Sequence, residues 1–170
     1  MDFALIILLS VLPILVIAAG LNDLTTMTIP NWISLGLMIG FVPTAFALGL
    51  PLSTIAVHFG VALGALFIGA GMFALRWLGG GDAKLIAAVC LWLGLSGSAT
   101  FLLVTAVVGG LFSLGLIMAR GTPGLAMLAG PSWMSRLLEP AGDIPYGVAI
   151  SAGALMAFPT SALVQAFIAG

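Results

Sequence analysis

Long apolar stretches alternate with short polar segments along the whole chain. A membrane-spanning helix needs about 20 predominantly apolar residues, and the pattern predicts such spans at residues 3–21, 32–50, 54–78, 83–95, 99–119 and 145–168. The fourth stretch would form only about 20 Å of helix, less than the ~30 Å hydrocarbon core of a bilayer. We therefore predict an all-α polytopic membrane protein, a compact bundle of six transmembrane helices forming a single domain over residues 1–170.

The polar segments predict how this bundle is oriented in the membrane. Six spans place three loops on one side, at about residues 22–31, 76–84 and 120–144. All the basic residues fall on that side: Arg76, Lys84, Arg120 and Arg136. The positive-inside rule makes this side the cytoplasm and puts both termini outside. Because the first stretch lacks the basic start of a signal peptide, we predict that it is a retained span.

The composition excludes several classes of protein. Hydrophobic residues make up 62% of the chain, charged residues only 5%, and the mean hydropathy is +1.34, so the surrounding medium is a lipid bilayer. The net charge of -1 does not favour binding to nucleic acid. A single cysteine, Cys90, cannot form an internal disulfide, and no zinc-type spacing occurs. His58 is expected far from the acidic residues discussed below, which argues against a metal site.

Small residues spaced four apart predict close contacts between helices. The pairs are Gly36 with Gly40, Gly60 with Gly64, and Gly147 with Ser151. Such residues let helix backbones approach each other in a membrane, which again favours one compact bundle.

Two aspartates are the leading candidates for chemistry. Asp23 follows the first span and Asp82 precedes the fourth, so both are expected at the cytoplasmic boundary of the membrane. Two carboxylates that share one proton provide a general base and a general acid together. This is the arrangement of an aspartic protease. Glycines at 79, 80 and 81 are expected to adopt positive φ and to let a substrate backbone approach Asp82.

Each of these residues also has a structural interpretation. Asp23 can be a cap in a polar loop, and Asp82 can be the N-cap of the fourth helix. Lys84 can be an interfacial anchor, and Asn31 after Pro30 can begin a helix rather than orient Asp23.

The segment "GDIPYG", which contains Asp143, also has the form of a helix start. We predict a structural role for that residue.

Three motifs in order resemble those of the prepilin peptidases, specifically the short Tad/Flp-pilus type. They are "DLTTMTIPN" after the first span, "GGGDAK" before the fourth, and "IPYGVAI" at the start of the last. The matching positions are Asp23, Ile29, Pro30 and Asn31, then Gly79, Gly81, Asp82, Ala83 and Lys84. The resemblance covers almost the whole chain.

The resemblance implies that Asp23 and Asp82 are the catalytic pair of a Gly-x-Gly-Asp aspartic endopeptidase. Such an enzyme cuts the short basic leader from prepilins at the cytoplasmic face of the bacterial inner membrane, and its substrate continues as an apolar helix. No metal and no cofactor are implied. The supporting site residues would be Gly79, Gly80, Gly81, Lys84, Pro30 and Asn31. Larger relatives have an added cytoplasmic domain with paired cysteines and also methylate the new N-terminus. This sequence has neither that domain nor the paired cysteines, and we do not predict methylation.

Two other classes of function compete with the peptidase. A small proton- or ion-coupled carrier would use Asp23 and Asp82 as coupling carboxylates. Carrier sites usually lie near the midplane between inverted repeats, whereas both acids here are predicted at one interface and no repeat is visible. A noncatalytic scaffold of a secretion machine, with the glycines serving only helix packing, is the third interpretation.

Overall fold

Every element in the described part of the chain is a helix. The computed structural model describes residues 3–122, 130–140 and 142–169. The helices are α1 (Phe3–Thr26), α2 (Asn31–Ala47), α3 (Leu52–Ala74), α4 (Gly80–Arg120), α5 (Ser132–Leu137), α6 (Tyr146–Ala157), a 3-10 turn (Phe158–Thr160) and α7 (Ala162–Ala169). The predicted loop residues 123–129 and 141, and the terminal residues, lie outside the described part.

Helix α4 consists of two antiparallel parts joined at Gly94. A straight helix of its 41 residues would be about 60 Å long. Yet Asp82 in its first turn lines a cavity with Gly142 and Asp143, and Arg120 at its end donates hydrogen bonds to the carbonyls of those same two residues. The chain therefore turns back at Gly94, which has a φ of 64° and a ψ of -166°.

The predicted break in this region was misplaced by a few residues. We expected a connection at residues 96–98, but these are helical, and the reversal occurs at one glycine. Positive φ carries little steric cost for glycine because it has no Cβ atom. The short predicted fourth span is thus the first part of α4, residues 80–93, and the fifth span is the second part, residues 95–120.

The helices account for all six predicted apolar stretches. Four helical runs are long and apolar enough to cross a membrane: Phe3–Thr26, Leu52–Ala74, Gly80–Arg120 and Tyr146–Ala169. The third of these contains two of the predicted stretches because it reverses at Gly94, and α2 is a shorter apolar helix of 17 residues. The predicted fold class, an all-α polytopic membrane protein, is confirmed. The last run is interrupted at Pro159, whose ring and missing N–H disfavour a continuous α-helix.

Two helices begin or end further into the polar segments than the sequence predicts. Helix α1 continues beyond residue 21 to Thr26, where the hydroxyls of Thr25 and Thr26 donate to the carbonyls one turn earlier. Helix α4 starts at Gly80. Asp23 and Asp82 therefore both lie on helices, and the connecting turns shorten to residues 27–30 and 75–79.

Helices α1, α2, α4 and α6 surround the core. Its largest fully buried side chains include Trp92, Phe41 and Phe101, and the Trp92 indole donates a 2.8 Å hydrogen bond to the carbonyl of Leu37. Two of the predicted small-residue pairs make close helix contacts. A Cβ on Gly40 would lie 2.8 Å from Val11 of α1, and Ser151 of α6 bonds to the α1 backbone.

The pair Gly60 and Gly64 behaves differently. An added Cβ at either position meets nothing within 4 Å. The prediction that this pair mediates a helix contact within the bundle is wrong.

The His58 side chain packs against the reversal of α4 at Gly94. Its ring is buried and stacks on Phe41 with centroids 5.4 Å apart. Its Nδ1 lies 2.7 Å from the carbonyl of Leu91, in the last turn before Gly94, where helix carbonyls lack partners in their own helix. The imidazole thus caps a broken helix end, a role that sequence analysis did not identify.

We expect Gly94→Ala to destabilise the protein. The substitution forces an L-residue into a combination of positive φ and extended ψ that is essentially restricted to glycine, which costs about 1–3 kcal/mol, and its Cβ would lie 2.7 Å from His58 Nε2. Thermal unfolding in detergent measures the effect as a lower Tm. Gly110→Ala, in the open second part of the same helix, is the matched control and should not lower Tm. Equal Tm values for the two variants would contradict this account of the reversal.

Candidate active site

A cavity of about 840 Å³ opens at the end of the bundle where α1 ends and α4 begins. Its walls come from the end of α1, the α3–α4 turn and the segment before α6. The lining residues are Asp23, Met27, Phe73, Ala74, Arg76, Trp77, Leu78, Gly79, Asp82, Gly142, Asp143, Ile144, Pro145 and Tyr146. Both predicted catalytic acids therefore face one space.

Asp23 lies within the last turn of α1 and is only 6% exposed. Its Oδ2 accepts a 2.7 Å hydrogen bond from the backbone N–H of Gly147, the second residue of α6. The first N–H groups of a helix have no partner within that helix, and a negative charge is favoured there by the helix dipole. Asp23 thus caps a helix other than its own, and this contact orients the carboxylate.

Gly147 permits this contact because it has no side chain. A Cβ there would lie 2.8 Å from both the Cβ and Oδ2 of Asp23. One turn earlier on α1, a Cβ on Gly20 would lie 2.7 Å from the hydroxyl oxygen of Ser151. Two glycines on facing helices therefore set the short distance between α1 and α6 at the site.

Asp82 is the third residue of α4, and Gly79 is the N-cap. The interpretation of Asp82 as the N-cap residue is therefore wrong in position. Its carboxylate nevertheless lies against the N-cap residue Gly79, which is where the acidic side chain of a capping box lies. Asp82 is partly buried and close enough to Asp23 for the two charges to interact.

The three glycines before Asp82 have a different conformation from the one predicted. Among the described glycines only Gly49 and Gly94 have positive φ, so the expectation of positive φ at residues 79–81 is wrong. These glycines instead allow neighbouring groups to pack closely against the start of α4. A Cβ on Gly79 would lie 2.6 Å from Asp82 Oδ2, and one on Gly81 would lie 3.1 Å from Ile29.

A Cβ on Gly80 would make only an ordinary 3.4 Å contact with Phe73. Together the glycines let the Asp82 carboxylate fold back over the helix start, and they let the "IPN" turn pack on α4.

A hydrogen bond between Lys84 and Asn31 joins the motifs "GGGDAK" and "DLTTMTIPN" on the side of α4 that faces away from the cavity. The Lys84 Nζ donates a 2.9 Å hydrogen bond to Asn31 Oδ1. Lys84 lies two residues, or about 200° around the helix, from Asp82. Both partners line a second cavity of about 490 Å³ rather than the one with the aspartates. Pro30 is the N-cap of α2. These residues hold the α1–α2 turn against α4 and have no hydrogen bond to either aspartate among the described residues.

Residues that the sequence did not assign to the site complete the cavity. Met27 and Arg76 lie just beyond the ends of α1 and α3 with φ of 56° and 59°, values that are uncommon for residues other than glycine and often mark functional sites. The segment "GDIPYG" does contain a helix start, since α6 begins at Tyr146 with Pro145 as its N-cap. Asp143 lies before that start and lines the cavity. The "IPYG" motif was the signal available for this wall.

Within the described ranges, no three or more His, Cys, Asp or Glu side chains converge as metal ligands would. Three aspartates line the cavity, Asp23, Asp82 and Asp143, and the first two are close enough for their charges to interact.

The fold and the cavity define a polytopic helical membrane protein with paired acids at one end of its bundle. A family model described as the type IV leader peptidase family matches residues 10–114, a stretch that contains both aspartates. That match covers more than half of the chain, and the protein belongs to this family of peptidases. Neither the curated proteins nor the solved structures contain a significant match.

We expect Gly147→Ala to abolish most prepilin cleavage. The new Cβ would push the Asp23 carboxylate from its position, and a misplacement of about 1 Å can cost ~10²-fold in rate. Cleavage of a co-expressed prepilin, followed by the mobility of the precursor, measures the loss. Gly115→Ala, which meets nothing within 4 Å, should cleave at the wild-type rate. Wild-type cleavage by Gly147→Ala would rule out the close α1–α6 contact as a requirement.

Proposed function

We propose that this peptidase is a membrane-embedded aspartic endopeptidase of the Gly-x-Gly-Asp type. It removes the leader peptide from Flp or other type IV-like prepilins at the cytoplasmic face of the bacterial inner membrane, for pilus biogenesis. The observation that carries the proposal is the cavity in which Asp23 of α1 and Asp82 of α4 face the same space. The resemblance of "GGGDAK" and "IPYGVAI" to the Tad/Flp type supports the choice of substrate.

The paired acids supply general acid–base catalysis of peptide hydrolysis. One carboxylate, ionised, takes a proton from a water molecule, whose oxygen then bonds to the carbonyl carbon of the leader peptide. The other carboxyl group, protonated, donates to the carbonyl oxygen. The C–N bond then breaks as the first carboxyl group gives the proton that it took from water to the leaving amine. The second carboxylate takes back a proton from a hydroxyl of the tetrahedral intermediate, which leaves a carboxylic acid product and the site in its starting state. Two carboxylates close together favour a shared proton because both cannot ionise without mutual repulsion.

The cavity walls suit a substrate that is half in the membrane. Phe73 and Trp77 provide apolar surface, while Arg76 and Asp143 provide charge at the same opening. An apolar substrate helix would lie in the bilayer beside the bundle, with its scissile bond at the membrane boundary where the aspartates lie. The leader would extend into the cytoplasm.

The orientation follows from the basic residues. Arg76 lines the cavity, and Lys84 and Arg120 lie at the two ends of α4 that meet beside it. Concentration of positive charge on this side supports a cytoplasmic cavity, with both termini on the outside.

Replacing either aspartate by asparagine should prevent cleavage. Asp23→Asn and Asp82→Asn keep the size of the side chain but remove the acid, and loss of general acid–base catalysis costs about 10²–10⁴-fold. Co-expression with a Flp prepilin, followed by the ratio of precursor to mature pilin, measures the result. Glu139→Gln removes an exposed acid outside the cavity and should process the precursor normally.

Normal processing by both asparagine variants, at wild-type levels in the membrane, would overturn the aspartic mechanism. Loss of proton-gradient-dependent solute uptake in the same variants, with no prepilin cleavage by the wild type, would support the coupled carrier instead.

Single cysteines test the proposed orientation. In a background where the buried Cys90 is replaced by alanine, Thr28→Cys marks the exposed turn between α1 and α2, and Ser53→Cys marks the exposed start of α3. An impermeant thiol reagent added from outside should label position 53 and not position 28. The reverse pattern would show that the cavity faces outward.

A further inference from the structure

Arg120, the last residue of α4, binds three backbone carbonyls in the segment before α6. Its Nε donates to Leu137 at 3.0 Å, one terminal nitrogen to Gly142 at 2.9 Å, and the other to Asp143 at 2.8 Å. The side chain is half-buried. One guanidinium thus binds the end of α4 to residues that follow it by 17 to 23 positions in the chain.

The segment that Arg120 holds forms one wall of the cavity. Residues 142–146 all line it, and the next residue, Gly147, donates its backbone N–H to Asp23. Pro145 in this segment has a restricted φ. The segment is therefore anchored at one end by Arg120 and at the other end by the Asp23 carboxylate.

We propose that Arg120 is a positioning residue of the peptidase: it fixes the 142–147 segment so that the N–H of Gly147 orients the Asp23 carboxylate. The inference rests on the proposed aspartic mechanism. Arg120 does not line the cavity, and its effect passes through the backbone of this segment.

The contacts require arginine in particular. A guanidinium presents five N–H donors in a rigid planar fork, whereas a lysine ammonium is a compact charge on a flexible stem. Three carbonyls that each accept from a different nitrogen of one side chain match the guanidinium and not the ammonium. The cation is also favoured here because Arg120 lies at the carbonyl end of α4 and Leu137 at that of α5, where helix dipoles are negative.

Arg120→Lys separates this role from a role in topology or net charge. It keeps the positive charge but loses the fork, and we expect kcat for prepilin cleavage in detergent to fall by about tenfold to a hundredfold, the effect of a slightly misplaced catalytic group. KM should change less than kcat, and Tm should stay near that of the wild type. Arg136→Lys, at an exposed arginine of α5, is the matched control and should retain wild-type kcat.

Hydrogen–deuterium exchange gives a second readout that does not depend on activity. The amides of residues 142–144, 146 and 147 should exchange faster in Arg120→Lys than in the wild type, while those of α2 should not change. Wild-type kcat in Arg120→Lys, or unchanged exchange in that segment, would overturn the inference. Failure of the wild type to cleave any prepilin, together with faster exchange in the variant, would overturn the proposed function while leaving the structural role of Arg120 in place.

Discussion

The hydrogen bond from the Gly147 N–H to the Asp23 carboxylate is the interaction on which the site depends. It joins the end of the first helix to the start of α6, 124 residues away in the chain. In a membrane, helices gain little hydrophobic energy by associating, and close packing and polar contacts between them matter more. Here a polar contact and a close glycine contact coincide at one place. A carboxylate that caps a neighbouring helix is also turned toward the cavity, so the same bond supports the bundle and aims the acid.

The second acid is brought to the same cavity by different means. Asp82 lies in the first turn of its own helix, where its carboxylate folds back against Gly79. That helix start is held against the α1–α2 turn by the close approach of Gly81 to Ile29. The Lys84–Asn31 hydrogen bond holds the same junction from the far side. The first two motifs that resemble those of prepilin peptidases are thus parts of one packed junction, and four of their residues line the cavity: Asp23, Met27, Gly79 and Asp82. The third motif adds Ile144, Pro145 and Tyr146 to the cavity wall.

Sequence patterns predicted the helical class and the apolar helices, because these depend on local composition. They also predicted that Asp23 and Asp82 lie at the same end of the bundle, because a bilayer tolerates charges at few positions, and both residues line one cavity there. They placed the reversal of α4 wrongly, since "GLSGS" offers two glycines and only the packed fold, with His58 beside Gly94, selects one. They assigned positive φ to residues 79–81, since glycine is compatible with both a strained backbone and a close contact. Arg120 was visible only as a positive charge, because its three partners are backbone carbonyls that carry no sequence signal.

The reversal at Gly94 also decides where a short helix can lie in this protein. The first part of α4, residues 80–93, rises only about 20 Å, some 10 Å less than the hydrocarbon core of a typical bilayer. A lipid-facing helix of that length would have to be accommodated by local thinning of the bilayer, at a free-energy cost for each ångström of mismatch. Leu85 and residues 87–93 are instead buried among the other helices, so the short half of α4 is shielded from lipid by its longer neighbours and its length is free of that constraint.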